Sequence, residues 1–192
     1  GDWSSDVCSS DLSDIFSRIV ADRLSPMLGQ PVVVENRAGA STMIGAEIVA
    51  RAPADGYTLL MGSVTTLSIN PSLFPKIAYD PQRDFAPVTQ IGSTPFILCV
   101  HPSVPVKSIA ELIAYAKAQP DKLNYGSSGI GMSFHLAGEM LKSMAGIAMT
   151  HVPYKGTGPA TTALVSGEVN LSFGNIFTML PHVKNGRVVA LA

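Results

Sequence analysis

The chain has 192 residues, 46% hydrophobic and 14% charged, and 13 Lys and Arg against 14 Asp and Glu leave a formal charge of −1. These proportions exclude an intrinsically disordered chain, a disulfide scaffold and a basic nucleic-acid binder. The length allows one large domain or two small ones, and no apolar run reaches the roughly 18 residues of a membrane-spanning helix.

Residues 2–12 read DWSSDVCSSDL, a stretch with no periodicity and no base that holds Cys8 and the sole tryptophan, Trp3. It lacks the positive and apolar regions of an export signal. It resembles the translation of a sequencing-library adapter, so residues 1–12 are expected to be a non-native tail, with the native segment starting near Ser13. Removing that tail takes away three acids and no bases, and 13 minus 11 leaves a charge of +2.

From Asp14 the chain alternates helical and strand-like segments, which predicts an α/β architecture with a largely parallel sheet. Asp14 is the expected cap of a helix carrying Ile15, Phe16, Ile19, Val20, Leu24 and Leu28 at helical spacing, ended by Gly29. PVVVEN at 31–36 predicts a buried strand, NRAGAST a turn, 43–52 a helix and YTLLMG at 57–62 a second strand. One or two helical turns over LSINPSLF precede an irregular stretch, then strands near 86–92 and 95–100, where the chain is expected to cross between domains. Ser108 and Glu111 form a capping box opening a helix to about Gln119. Strands are then predicted at LNYG, IAMTHV, EVNLSFG and RVVALA. Helices are predicted at 131–146 and 158–167, and one over 175–186 is interrupted by Pro181. Met140, Met144 and Met149 read as core filler.

His101, His135, His151 and His182 are scattered without metal-ligand spacing. Phosphate-loop, dinucleotide and nucleophile-elbow motifs are absent from the sequence. Cys99, inside the apolar PFILCV, reads as a small buried hydrophobe. What recurs is a strand, a Gly/Ser/Thr-rich loop and a helix start, at 61–66, 125–133, 154–160 and 173–177. Such loops present backbone N–H groups, hydroxyls and helix N-termini, a setting that holds a carboxylate without an arginine. His135 reads equally as a packing histidine or a ligand contact, Lys155 as a turn lysine or an anion partner, and Asn175 and Asp14 as caps or ligand contacts.

The ordered motifs GQPVVVENRAGA, DGYTLL, NPSL, YDPQRDFAPV, HLAGE and HVPYKG resemble the tripartite tricarboxylate transporter substrate-binding proteins, the Bug or TctC-like receptors, across essentially all of 13–192. The resemblance implies a two-lobed type II periplasmic-binding-protein (Venus-flytrap) α/β fold, incomplete here. Residues 13–98 form lobe 1 without its first strand, and 99–192 form lobe 2 without its C-terminal return. It implies a periplasmic receptor that closes on a small carboxylate (a di- or tricarboxylate, acidic amino acid or aromatic acid) in an interlobe cleft. That receptor delivers its ligand to integral-membrane permease subunits, is monomeric, and uses no cofactor, metal, nucleic acid or catalysis. Carried over by motif, the ligand loops fall on Ser63, Thr65 and Thr66 in lobe 1. In lobe 2 they fall on Ser127, Ser128, Gly131, Ser133, His135, Lys155, Gly156, Thr157 and Asn175, and Asp14 resembles the end of a family loop. A sensing module for a signalling partner and an enzyme using Lys155 or His135 are the alternatives.

Overall fold

The computed structural model describes residues 3–7, 11–37 and 39–191. They divide into two units between Gly92 and Ser93. The junction falls earlier than residue 98 because the strand Phe96–Val100 pairs entirely within the second unit.

In the first unit β1 (Trp3–Val7), β2 (Val32–Asn36) and β3 (Thr58–Met61) form a parallel sheet in the order β2-β1-β3. The central place of β1 departs from the expected tail and absent first strand: Ser4 pairs with both Val33 and Thr58, and Val7 with both Asn36 and Met61. Parallel pairing is made by main-chain groups, so an extended segment fills a slot between two strands without strand-forming side chains of its own. Cys8 lies outside the described residues.

Helix α1 (Asp11–Leu28) starts before the predicted cap, so Asp14 sits inside its first turns. Its buried stripe is Ser17 and Ala21, while Ile15, Ile19 and Leu28 are exposed. Small residues at this i, i+4 spacing let the helix backbone approach β2 closely. The Ser25 hydroxyl donates to Ala21 O (2.7 Å) and accepts from Val32 N–H (2.9 Å), joining the helix end to β2. After α2 (Met43–Arg51) and β3, a π-helical turn (Thr65–Ile69) runs into α3 (Asn70–Leu73). The strand expected near 86–92 does not form: those residues carry no regular structure, and Pro87 has no N–H to give a ladder.

The second unit holds β4 (Phe96–Val100), α4 (Ile109–Ala118), β5 (Asn124–Ser127), α5 (Ser133–Ala145), β6 (Thr150–Pro153), α6 (Thr157–Ser166), β7 (Leu171–Asn175), α7 (Ile176–Lys184) and β8 (Val189–Ala190). The strand order is β6-β5-β7-β4-β8, with β5 parallel to β6 and β7, and β4 antiparallel to β7 and β8. Ser108 caps α4 as expected, its hydroxyl accepting Glu111 N–H at 3.2 Å, while the Glu111 carboxylate reaches back to Lys107 N–H at 2.7 Å. Helix α7 runs through Pro181 without the predicted interruption, the proline costing it one main-chain hydrogen bond.

Alternation along β4 sends Leu98 and Val100 into one buried cluster with Leu112, Ala116, Leu123, Tyr125, Met149 and Leu171, and Cys99 into another with Leu164, Val169 and Met179. Helices therefore cover both faces of this sheet. Burial pushes the Cys99 thiol up to about 11, which suits a packing residue and not a nucleophile. Met149 is core, but Met140 and Met144 are exposed, so only one of the three methionines fills the interior.

Candidate functional site

Because β5, β6 and β7 are parallel, their carboxyl ends emerge on one edge of the second sheet, and each leads into a helix. Chain connection is shortest at β7, where Asn175 passes directly into α7. The loops after β5 and β6 are laced together by Tyr154 N–H to Ser127 O (2.9 Å) and Gly156 N–H to Ser128 O (3.1 Å).

The three helices that start on this edge share one feature. Met132, Gly156 and Asn175 occupy the N-cap positions of α5, α6 and α7, and none makes a side-chain capping hydrogen bond. Helix N-termini carry four N–H groups without intrahelical partners and a partial positive charge, so they are anion-binding ends unless a cap satisfies them. Asn175 has a cap's backbone conformation and is only 6% exposed, yet its amide makes no hydrogen bond among the described residues. Thr157, the first residue of α6, is equally buried, and its hydroxyl is likewise without a partner there. Ser128 is half-buried beside them and Lys155 is exposed, with no ion pair among the described residues.

Other predicted contacts are committed internally. The Ser127 hydroxyl, fully buried, lies 2.6 Å from His151 Nε2 and accepts Gly129 N–H at 3.2 Å. Gly131 N–H donates to His135 Nδ1 at 3.1 Å. The His135 ring stacks on His151 with centroids 4.1 Å apart, and His151 stacks in turn on Tyr125 at 4.8 Å. Burial first, and then charge at His135, push His151 down to about 4, so it is neutral at ordinary pH. Ser133 opens α5.

In the first unit Ser63, Thr65 and Thr66 follow β3, but Thr65 and Thr66 are buried. The Thr66 hydroxyl lies 2.8 Å from that of Thr42 and 3.2 Å from that of Ser63. Its carbonyl accepts the Tyr79 hydroxyl at 2.6 Å. Asn70 Nδ2 donates to Ser41 O at 2.7 Å and approaches the Thr42 and Tyr79 hydroxyls, both at 3.4 Å. This network lies beneath two adjacent loops and ties them together. Ala40, Ser41 and Thr42 all have positive φ (44°, 50° and 79°), a costly backbone for residues with a Cβ, and Asn70 and Thr66 hold its second and third residues. Asp14 is used structurally: Arg18 Nε (2.9 Å) and Asn36 Nδ2 (2.8 Å) occupy its two oxygens. These bonds, Arg18 first, hold its carboxyl below the usual range.

Sequence reasoning missed Thr42, Asn70 and Tyr79, and weighed His151 only as a metal ligand. The i, i+4 spacing of Thr66 and Asn70 was the available signal, since it puts both on one helical face. Among the described residues no group of three His, Cys, Asp or Glu side chains could hold a metal ion, and no helix is long and apolar enough to cross a membrane.

Known proteins are similar to this chain in sequence and fold. Protein BugT of Bordetella pertussis (strain Tohama I) is 39% identical over 181 residues, covering 94% of this chain and 56% of BugT. The structure of R. palustris Rpa4515 with adipate superposes with a TM-score of 0.91 at 38% identity, and MatC (Rpa3494) from Rhodopseudomonas palustris with bound malate with 0.87 at 32%. Each covers all of this chain, and 65% and 66% of those proteins respectively. The chain thus spans about half the length of the curated relatives it matches. The family model described as the tripartite tricarboxylate transporter family receptor matches residues 16–192, and the chain belongs to that family.

Proposed function

We propose that this chain is the carboxylate-capturing portion of a monomeric periplasmic receptor that delivers a small dicarboxylate to integral-membrane permease subunits. One observation carries the reading: three helix N-termini without side-chain caps open on one sheet edge, where no hydrogen bond among the described residues engages the Asn175 amide or the Thr157 hydroxyl. A bound carboxylate would accept these donors together with first-turn N–H groups. Adipate in Rpa4515 and malate in MatC support this ligand class. The fold needs no cofactor for such binding. On the same edge Ser128 offers a further hydroxyl, with Lys155 supplying long-range attraction.

Thermal shift and calorimetry with adipate and L-malate test the proposal, glucose and magnesium chloride being the controls. A dicarboxylate at 100 times its Kd adds about 2.7 kcal/mol of stability. Asn175→Leu and Thr157→Val remove that gain. Stabilisation by glucose or magnesium alone, or by dicarboxylates equally in wild type and Asn175→Leu, would sink the assignment.

A further inference from the structure

The loop between β5 and α5 is held from inside at alternate residues. Ser127 Oγ accepts Gly129 N–H and meets His151 Nε2 at 2.6 Å, and Gly131 N–H reaches His135 Nδ1 at 3.1 Å. The two imidazoles are stacked at 4.1 Å with 25° between their planes. We propose that His135 and His151 are positioning residues whose neutral imidazoles fix the shape of the loop 128–132, and that a proton added to His135 releases it. The link to ligand rests on the carboxylate reading above; the effect on the loop does not.

The chemistry follows from one proton. An imidazole nitrogen that accepts an N–H has none of its own, so His135 carries its single proton on Nε2. A second proton must go to Nδ1, where it replaces an acceptor with a donor facing the Gly131 N–H, and that bond is lost. The same proton also sets a cation face to face with His151. The surrounding titratable groups are Tyr125 on β5, His151 on β6, and Glu139 and Lys142 on α5. Tyr125 Oη donates to Glu139 Oε1 at 2.6 Å and Lys142 Nζ lies 2.9 Å from the same oxygen. That carboxylate is therefore already engaged twice. Burial holds His151 neutral. Releasing Gly131 reorients the loop that leads into α5 and so alters the N–H groups presented at the sheet edge.

Two variants separate acceptor from ring. His135→Asn keeps an acceptor two bonds from Cβ that does not titrate, and His135→Phe keeps a stacked ring with no acceptor. Amide exchange is followed by NMR at pH 8 and pH 5, with each protection factor corrected for the intrinsic rate. In wild type the Gly131 protection falls about tenfold on acidification, the equilibrium weight of one hydrogen bond. His135→Asn keeps its protection at both values, and His135→Phe lacks it at both. Adipate affinity by calorimetry follows the same pattern. Equal Gly131 protection in wild type and His135→Phe, or no change with pH in wild type, overturns the proposal even if adipate binds. Failure of adipate and L-malate to bind at either pH removes the carboxylate reading, while the amide data still decide the role of His135.

Discussion

The Tyr125 hydroxyl donates a 2.6 Å hydrogen bond to Glu139 Oε1, joining a fully buried strand residue to the helix that covers its face. Burial pushes the phenol far up, while the hydrogen bond from Tyr125 is the largest cause that holds the Glu139 carboxyl below its ordinary value. A carboxyl depressed in the folded state contributes stability above its unfolded pKa and loses it as pH falls through the folded value. Tyr125→Phe should therefore raise the Glu139 pKa, read from its side-chain carbon resonance. It should also cost about 1 kcal/mol at pH 7, because Glu139 is partly solvent-screened. An unchanged Glu139 titration in the variant would show that Lys142 alone sets it.

Gly138 is where α5 crosses the Tyr125 ring. A Cβ there would lie 2.2 Å from Tyr125 Cε2 and 2.6 Å from Cζ, and the ring is buried and cannot swing away. Gly138→Ala is expected to destabilise by about 1–3 kcal/mol, overpacking outweighing the gain of about 1 kcal/mol in helix propensity. Gly158, in the first turn of α6, has nothing within 4 Å of its Cβ position and serves as the control. Gly158→Ala should leave the urea midpoint level or slightly raised. Equal midpoints for the two variants would mean that Tyr125 moves freely.

The strand–loop–helix order of this edge was legible because small residues after β-strands mark helix starts; Asn175 read there as a cap or a contact, while Thr157 came by motif resemblance. The supporting residues were not. Asn70 meets Ser41 across 29 positions and His151 meets Ser127 across 24, pairings that only the folded backbone brings together. Likewise β1 could not be read from WSSDV, because its slot is made by β2 and β3. Helix α1 misled by its large apolar residues: the buried positions are Ser17 and Ala21, whose value lies in being small.

His151 makes stability depend on pH. Its value is lowered from 6.5 to about 4, so the unfolded chain binds a proton that the folded one refuses between those limits. The contribution is whole above about pH 6.5 and is lost as pH falls toward 4, a change of at most about 3 kcal/mol. His151→Phe keeps the stacking but loses the Ser127 contact. It should be less stable than wild type at pH 7, with the difference narrowing as pH drops. Urea titrations at pH 7, 5.5 and 4 read this directly, and a constant difference would place the proton elsewhere.

Asn70 is fully buried, and its Nδ2 donates to the Ser41 carbonyl beneath the strained turn 40–42. Its Oδ1 has no partner, so the fold already bears one unpaired acceptor there. Asn70→Ala removes a buried donor to the Ser41 carbonyl beneath the strained turn, costing about 1–3 kcal/mol. Asn70→Asp has the same shape, but ionised it aims a carboxylate at that carbonyl. Burial raises the pKa of the new carboxyl, so the folded chain holds its proton above the unfolded value of about 3.9 and the deficit grows as pH rises. The Asp variant should therefore approach the wild type near pH 4 and fall well below it at pH 7. Parallel pH dependence of the two proteins would show that solvent reaches the site and that the turn is held by Thr66 alone.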